Sequence, residues 1–169
     1  MGCPVLGGLD AKRNAALQDN CPPSPHPRPG TSIAVVKNGK VLLVKRGKEP
    51  FKGYWAFPGG GQALGERLEE TARRELAEET ALTARHLEFL GFADRIAHGE
   101  DGIVTHHHVL ARFLCTAFDG EPRAGGDAHE LRWVSLAEAA TLDTVPHLLE
   151  LIGGALERAR AGRQAFTKR

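Results

Sequence analysis

The sequence predicts a layered domain of the α+β or α/β class. Three observations predict it. Val- and Ile-rich runs are joined at Asn38-Gly39. A helical stripe of Leu68, Ala72 and Leu76 repeats every four residues. Further strand-like segments then precede a last helix, and interleaved strands and helices pack as layers around one core.

The elements follow in order. Residues 1 to 30 read as an extension that is poorly ordered, because Cys21 to Gly30 holds five prolines and cannot be helical. Asp10 to Gln18 reads as a short helix within it. The domain proper spans 31 to 163, with a tail at 164 to 169. Thr31–Lys37 and Lys40–Lys45 read as a β-hairpin, since both central residues of a type I′ turn need φ > 0 and Asn-Gly supplies that cheaply. Tyr54–Phe57 is a short strand ended by Pro58-Gly59-Gly60-Gly61. Leu68–Thr80 is the striped helix. Leu87–His98 and Ile103–Phe118 are two long strands, and Leu131–Val134 is another. Ser135 and Glu138 have capping-box spacing. Thr144 reads as the cap of the last helix, with Pro146 in its first turn.

Composition narrows the function classes. Of 169 residues 41% are apolar, an ordinary globular value that argues against wholesale disorder. Lys plus Arg is 22 and Asp plus Glu is 21, so bulk charge does not recruit nucleic acid polymers. The three cysteines, Cys3, Cys21 and Cys115, include no C-x-x-C pair, which points to a reducing cytoplasm rather than a disulfide framework or structural zinc. No signal peptide is evident, and no run approaches the ~20 apolar residues of a membrane span.

Six of the fourteen residues from Glu66 to Glu79 are Glu. A solvated helix face is the ordinary reading of such a run. Geometry and cost argue otherwise. At about 100° per residue, Glu75, Glu78 and Glu79 share one arc a single turn apart. Like charges at i,i+4 cost a few tenths of a kcal/mol, and anions near a helix C-terminus cost roughly 0.3–1 kcal/mol each. A bound divalent cation reverses every sign, and all-oxygen ligands suit Mg²⁺ or Mn²⁺ rather than zinc. The glycines ahead of the helix let backbone approach a ligand, and a carbonyl there adds one more oxygen.

These residues resemble the Nudix box: Gly, five residues, Glu, seven residues, Arg-Glu-apolar, one residue, Glu-Glu, one residue, Gly-apolar. Gly60, Glu66, Arg74, Glu75, Leu76, Glu78, Glu79 and Leu82 match, and Ala81 stands where the family has Gly. Ala81 either keeps a left-handed conformation at a cost of ~1 kcal/mol or lets the helix run one residue further. Arg28-Pro29, Val41–Arg46, Gly53–Gly60, Gly120–Gly125 and Glu130–Val134 extend the resemblance toward the bacterial branch labelled ADP-ribose pyrophosphatase. Gln62 and Ala63 replace its usual apolar–Glu pair.

The resemblance implies a Nudix fold, a mixed sheet between helices, and hydrolysis of a nucleoside diphosphate linked to another moiety, foremost ADP-ribose or a related nucleotide sugar. A nucleoside triphosphate substrate and a non-catalytic nucleotide sensor are the alternatives. It implies that Gly60, Glu75, Glu78 and Glu79 hold Mg²⁺ or Mn²⁺ while Arg74 pairs with Glu66 to position the loop. The general base is Glu79, Glu130 or Asp127. Phe51 and Tyr54 are candidates to stack on a base, and Arg46 to meet a phosphate. The partner is a small nucleotide rather than a membrane, and relatives often form homodimers.

Outside the box, His106 and His108 share one strand face and His107 the other, a pattern that is structural or exposed more often than metal-binding. Trp55 and Trp133 read as core or cleft wall. Cys115 reads as buried packing, and the basic residues from Arg158 onward as a solvated face.

Overall fold

The computed structural model describes residues 26–167 apart from Glu100, so the expectations for the extension up to residue 25 lie outside the described residues. The elements are β1 (Arg28–Lys37), β2 (Lys40–Arg46), β3 (Trp55–Ala56), α1 (Leu68–Thr80), β4 (Thr83–His98), β5 (Val104–Asp119), β6 (Ala128–Val134), α2 (Leu136–Ala139) and α3 (Leu148–Thr167). Strand order is β3-β2-β1-β5-β4, with β6 paired to β2. The sheet is mixed: β1 runs parallel to β5, and the other pairs are antiparallel.

Alternation along the strands builds two cores. On one face Ile33, Val35 and Leu42 pack with Ala72 and Leu76 of α1. On the other, Ala34, Val36, Val41 and Leu43 pack with Leu148, Ile152 and Ala155 of α3. A strand buried on both faces reads as a continuous apolar run, which is why Val41–Val44 has no polar interruption. The expected layering therefore holds. Asn38 and Gly39 both take positive φ, at 51° and 75°.

Several boundaries differ from the sequence reading. β1 begins at Arg28, because Arg28–Gly30 pair with His108–Leu110 of β5. A proline is tolerated there, since Pro29 needs no N–H toward the open side of the sheet. β4 starts at Thr83 and β6 at Ala128.

The Thr144 cap is overturned. Trp55 N donates to Asp143 O at 2.8 Å and Val145 N donates to Trp55 O at 3.0 Å. Thr144 therefore serves a β-bridge to Trp55. His147 at φ 63° separates Pro146 from the helix, which begins at Leu148. The Ser135–Glu138 capping box forms as read, with bonds of 3.2 and 2.7 Å. Arg158 does not sit on a merely solvated face: its guanidinium pairs with Glu88 and ties α3 to β4. Trp55 and Cys115 are buried, and Trp133 stacks on Phe118 at 6.0 Å. Among the described residues no helix is long and apolar enough to cross a membrane.

Candidate active site

The helix that carries the acidic run is well started and poorly finished. Arg67 N donates to Glu70 Oε2 at 2.8 Å, and Glu69 and Glu70 lie in the first turn, where the dipole favours anions. The last turn holds no basic residue. Ala81 closes it at φ 59°, the first of the two alternatives, with its N–H on Ala77 O at 2.9 Å.

Carbonyls of its last turn are satisfied from a distant loop. Arg123 N donates to Thr80 O at 2.9 Å and Gly125 N donates to Glu79 O at 3.1 Å. The same loop carries Asp127 toward the helix end. Gly125 allows this approach, since a Cβ there would sit 2.6 Å from Glu78 O.

Two glycines position two carboxylates. Gly59, at φ 148°, leaves no room for a side chain, because a Cβ would fall 2.2 Å from Thr31 O. Its N–H donates to Glu79 Oε2 at 2.9 Å. Gly60 makes space for Glu75, whose carboxylate lies 2.5 Å from where a Cβ would be. The Gly60 carbonyl accepts from Thr31 N at 2.9 Å, which leaves it one lone pair.

Glu66 and Arg74 form the hinge between loop and helix. Arg74 Nε and Nη2 donate to Glu66 Oε1 and Oε2 at 2.6 and 2.9 Å, and Nη2 also reaches Gly61 O at 3.1 Å. Ala63 N and Thr71 Oγ1 add bonds of 3.1 and 2.9 Å to Glu66. Those donors, Arg74 foremost, hold the Glu66 carboxyl down at about 2.

The acidic centre is the reverse case. Glu79 is only 8% exposed, and burial, reinforced by the charge of Glu75, pushes its carboxyl up to about 8 against the pull of the Gly59 N–H. Burial also raises Glu75, opposed by Arg74 and reinforced by Glu78 and Asp127. Arg74 Nη1 sits 2.7 Å from Glu75 Oε1 and 3.2 Å from Glu78 Oε2. A guanidinium thus stands between two of the three carboxylates. As they stand, no three His, Cys, Asp or Glu side chains among the described residues close a metal cage.

The donor set nonetheless fits a hard divalent ion. It consists of oxygens only, burial raises two of its carboxylates, and Gly60 keeps open the space that Glu75 occupies.

The remaining sequence candidates divide. Asp127 acts on both Glu75 and Glu79, and Lys48 pairs with it at 2.9 Å. Glu130 faces Lys45 across the β2–β6 pair at 3.8 Å. Arg46 donates through Nε to Pro50 O at 3.0 Å and lowers Glu79 electrostatically. Phe51 and Tyr54 meet edge to face at 5.9 Å, and Tyr54 is 42% exposed. His106 and His108 stack on one face, as alternation requires, while His107 bonds Asp94 at 3.0 Å on the other. Sequence spacing missed that acidic partner, thirteen residues away along the chain. It also missed Arg95, which lies 4.9 Å over the Phe51 ring.

A family model described as the NUDIX domain matches residues 26–152. The chain belongs to the Nudix family. It is 35% identical over 111 residues to a Methanocaldococcus jannaschii protein named ADP-ribose pyrophosphatase, covering 66% of this chain and 63% of that one. It is 33% identical over 106 residues to a Danio rerio protein named oxidized purine nucleoside triphosphate hydrolase, covering 63% of this chain and 65% of that one. The chain therefore spans less than two thirds of the length of both relatives. The crystal structure of a MutT NUDIX hydrolase from Burkholderia pseudomallei superposes with a TM-score of 0.63 at 34% identity, covering 78% of this chain and 97% of that one.

Proposed function

We propose that this Nudix chain hydrolyses the phosphoanhydride bond of a nucleoside diphosphate linked to another moiety, with ADP-ribose or a related nucleotide sugar foremost. The observation that carries the reading is the pair of raised carboxylates, buried Glu79 and half-buried Glu75, seated against Gly59 and Gly60. A folded chain gains nothing by burying two acids together unless a cation or substrate completes them.

Glu75, Glu78 and Glu79 would hold Mg²⁺ or Mn²⁺, with the free lone pair of the Gly60 carbonyl as a further donor. When bound, the ion supplies charge neutralisation at phosphate oxygens and Lewis-acid activation of water. The chain supplies the rest. The Glu66–Arg74 pair fixes the loop against the helix, which sets the angle at which Glu75 meets Gly60. Arg74 Nη1, held by Glu66 through its other nitrogens, yields Glu78 without leaving its place.

We assign the general base to Asp127 over Glu130, because Asp127 is close enough to act on both buried carboxylates. Glu79 is the weaker candidate, since it holds its proton at neutral pH until a cation draws it off. Water oxygen bonds to phosphorus, the bridging P–O bond breaks, and the base takes the water proton. The products are a nucleoside monophosphate and the phosphorylated remainder. A nucleoside triphosphate is the second reading, favoured by the similarity to the Danio rerio relative.

The test is hydrolysis by the full chain with Mg²⁺ or Mn²⁺ against ADP-ribose, nucleotide sugars and nucleoside triphosphates, with products separated by anion exchange. AMP and ribose 5-phosphate support the first reading, and direct release of pyrophosphate supports the second. No turnover of any of them overturns both.

A further inference from the structure

Three strands bring an unusual set of side chains side by side. Arg28 of β1 pairs with His108 of β5, and His108 pairs with Arg95 of β4. Cross-strand partners point to the same face, so two guanidinia flank one imidazole on a half-buried surface. Like charges at such close quarters are unfavourable, as in the acidic centre. A fourth basic group joins them through the loop after β2: Arg46 bonds the carbonyl of Pro50 while Arg95 lies over the ring of Phe51.

Arg95 Nη2 is buried and has no hydrogen-bond partner among the described residues. Leaving such a donor unpaired costs about as much as breaking a bond, so it calls for an acceptor that the described residues do not supply. Arg46 pairs with Ala128 of β6, and Gly47 N donates to Asp127 O at 2.8 Å, so the basic cluster meets the loop that carries Asp127 to the acidic centre. His108 is held below the usual imidazole range by burial and then by Arg95, leaving a neutral ring that can still donate one bond.

We propose that Arg95, with Arg46 and His108 beside it, forms a subsite for a phosphate group of the substrate, next to the carboxylates that would hold the metal. The guanidinium fork matches two phosphate oxygens, Phe51 fixes its plane, and Tyr54 extends the aromatic wall along which a nucleoside would lie. This assignment rests on the hydrolase reading above. The phosphate belongs either to the diphosphate bridge or to the terminus of a triphosphate.

The test separates the subsite from the chemistry. Binding of inorganic pyrophosphate to the full chain is measured by calorimetry in EDTA, for wild type, Arg95→Gln, Arg95→Lys and Glu79→Gln. Wild type is expected to bind, Arg95→Gln to bind at least about tenfold more weakly, and Arg95→Lys to fall between them because it keeps the charge and loses the fork. Glu79→Gln is expected to keep binding and lose turnover. With metal and substrate, Arg95→Gln is expected to raise KM about tenfold and to change kcat less than threefold. A larger loss of kcat/KM for a triphosphate than for ADP-ribose locates the terminal phosphate at the subsite, and an equal loss locates the bridge there.

Because Arg95 Nη2 has no hydrogen-bond partner among the described residues, Arg95→Gln is expected to melt no lower than wild type. A lower melting point for both Arg95 variants would mark a structural role and overturn the proposal. So would absence of pyrophosphate binding, or binding by Arg95→Gln within twofold of wild type. Pyrophosphate binding that depends on Arg95 in a chain with no turnover would instead overturn the hydrolase reading alone.

Discussion

The buried carboxyl of Glu79 makes the metal-free protein lose stability as pH rises. The sign follows from linkage. A carboxyl raised from 4.5 to about 8 binds more protons folded than unfolded throughout that interval, so stability falls across it. At about 1.4 kcal/mol per pH unit the full penalty is about 5 kcal/mol above pH 8. About 3–4 kcal/mol of it develops between pH 5 and 8. For a domain of this size that is a fall of roughly 10 °C in Tm. Glu75, raised by the same burial, acts in the same direction. Glu66 acts only below pH 4.5, since its stabilisation is lost as pH drops toward about 2. The assay is thermal unfolding in EDTA at pH 5, 6, 7 and 8, for wild type and Glu79→Gln. The substitution removes the ionisable group, so its curve should be much flatter, and at pH 8 it should melt above wild type while losing hydrolysis by orders of magnitude. Saturating Mn²⁺ should restore wild type at pH 8 and leave Glu79→Gln little changed. Metal-free wild-type stability that is flat or rising from pH 5 to 8, or a parallel fall in Glu79→Gln, would refute the electrostatic account of this centre.

Gly60→Ala puts a methyl 2.5 Å from the Glu75 carboxylate, so metal affinity measured by calorimetry should drop at least about tenfold while the far-UV spectrum stays native; unchanged affinity would mean Glu75 binds elsewhere. Ala81→Gly relieves a left-handed alanine at φ 59° and should raise Tm by about 3 °C, worth about 1 kcal/mol, with kcat unaltered. Glu66→Gln leaves Arg74 with one charged anchor fewer in a mostly buried pair, and should cost about 2–3 kcal/mol in urea unfolding as well as lowering kcat. Asp127→Asn should slow hydrolysis at least about a hundredfold and Glu130→Gln less than threefold; the reverse order would transfer the base to Glu130.

The sequence was informative wherever a signal is local and periodic. Asn38-Gly39 fixes its hairpin because both residues must adopt positive φ, and no distant contact has to be known. The spacing of Glu75, Glu78 and Glu79 on one helical turn, and the Ser135–Glu138 box, are local in the same sense. Thr144-Val-Pro146 was misleading because a cap signal and a strand-bridge signal look alike locally. The bridge to Trp55, far upstream in the chain, decided between them.

By itself the sequence determined the layered fold and the shared face of the acidic turn, because helix geometry converts spacing into shared direction. Tertiary structure alone decided how far each acid is buried. It seats Glu79 on the Gly59 amide and Glu75 against Gly60, and brings Asp127 in on the loop that satisfies the carbonyls at the helix end. It alone brought Arg28, His108 and Arg95 together, since strand register links residues far apart in the chain. Burial and charge proximity depend on such long-range contacts, and they raise Glu75 and Glu79 and leave Arg95 Nη2 without a hydrogen-bond partner among the described residues.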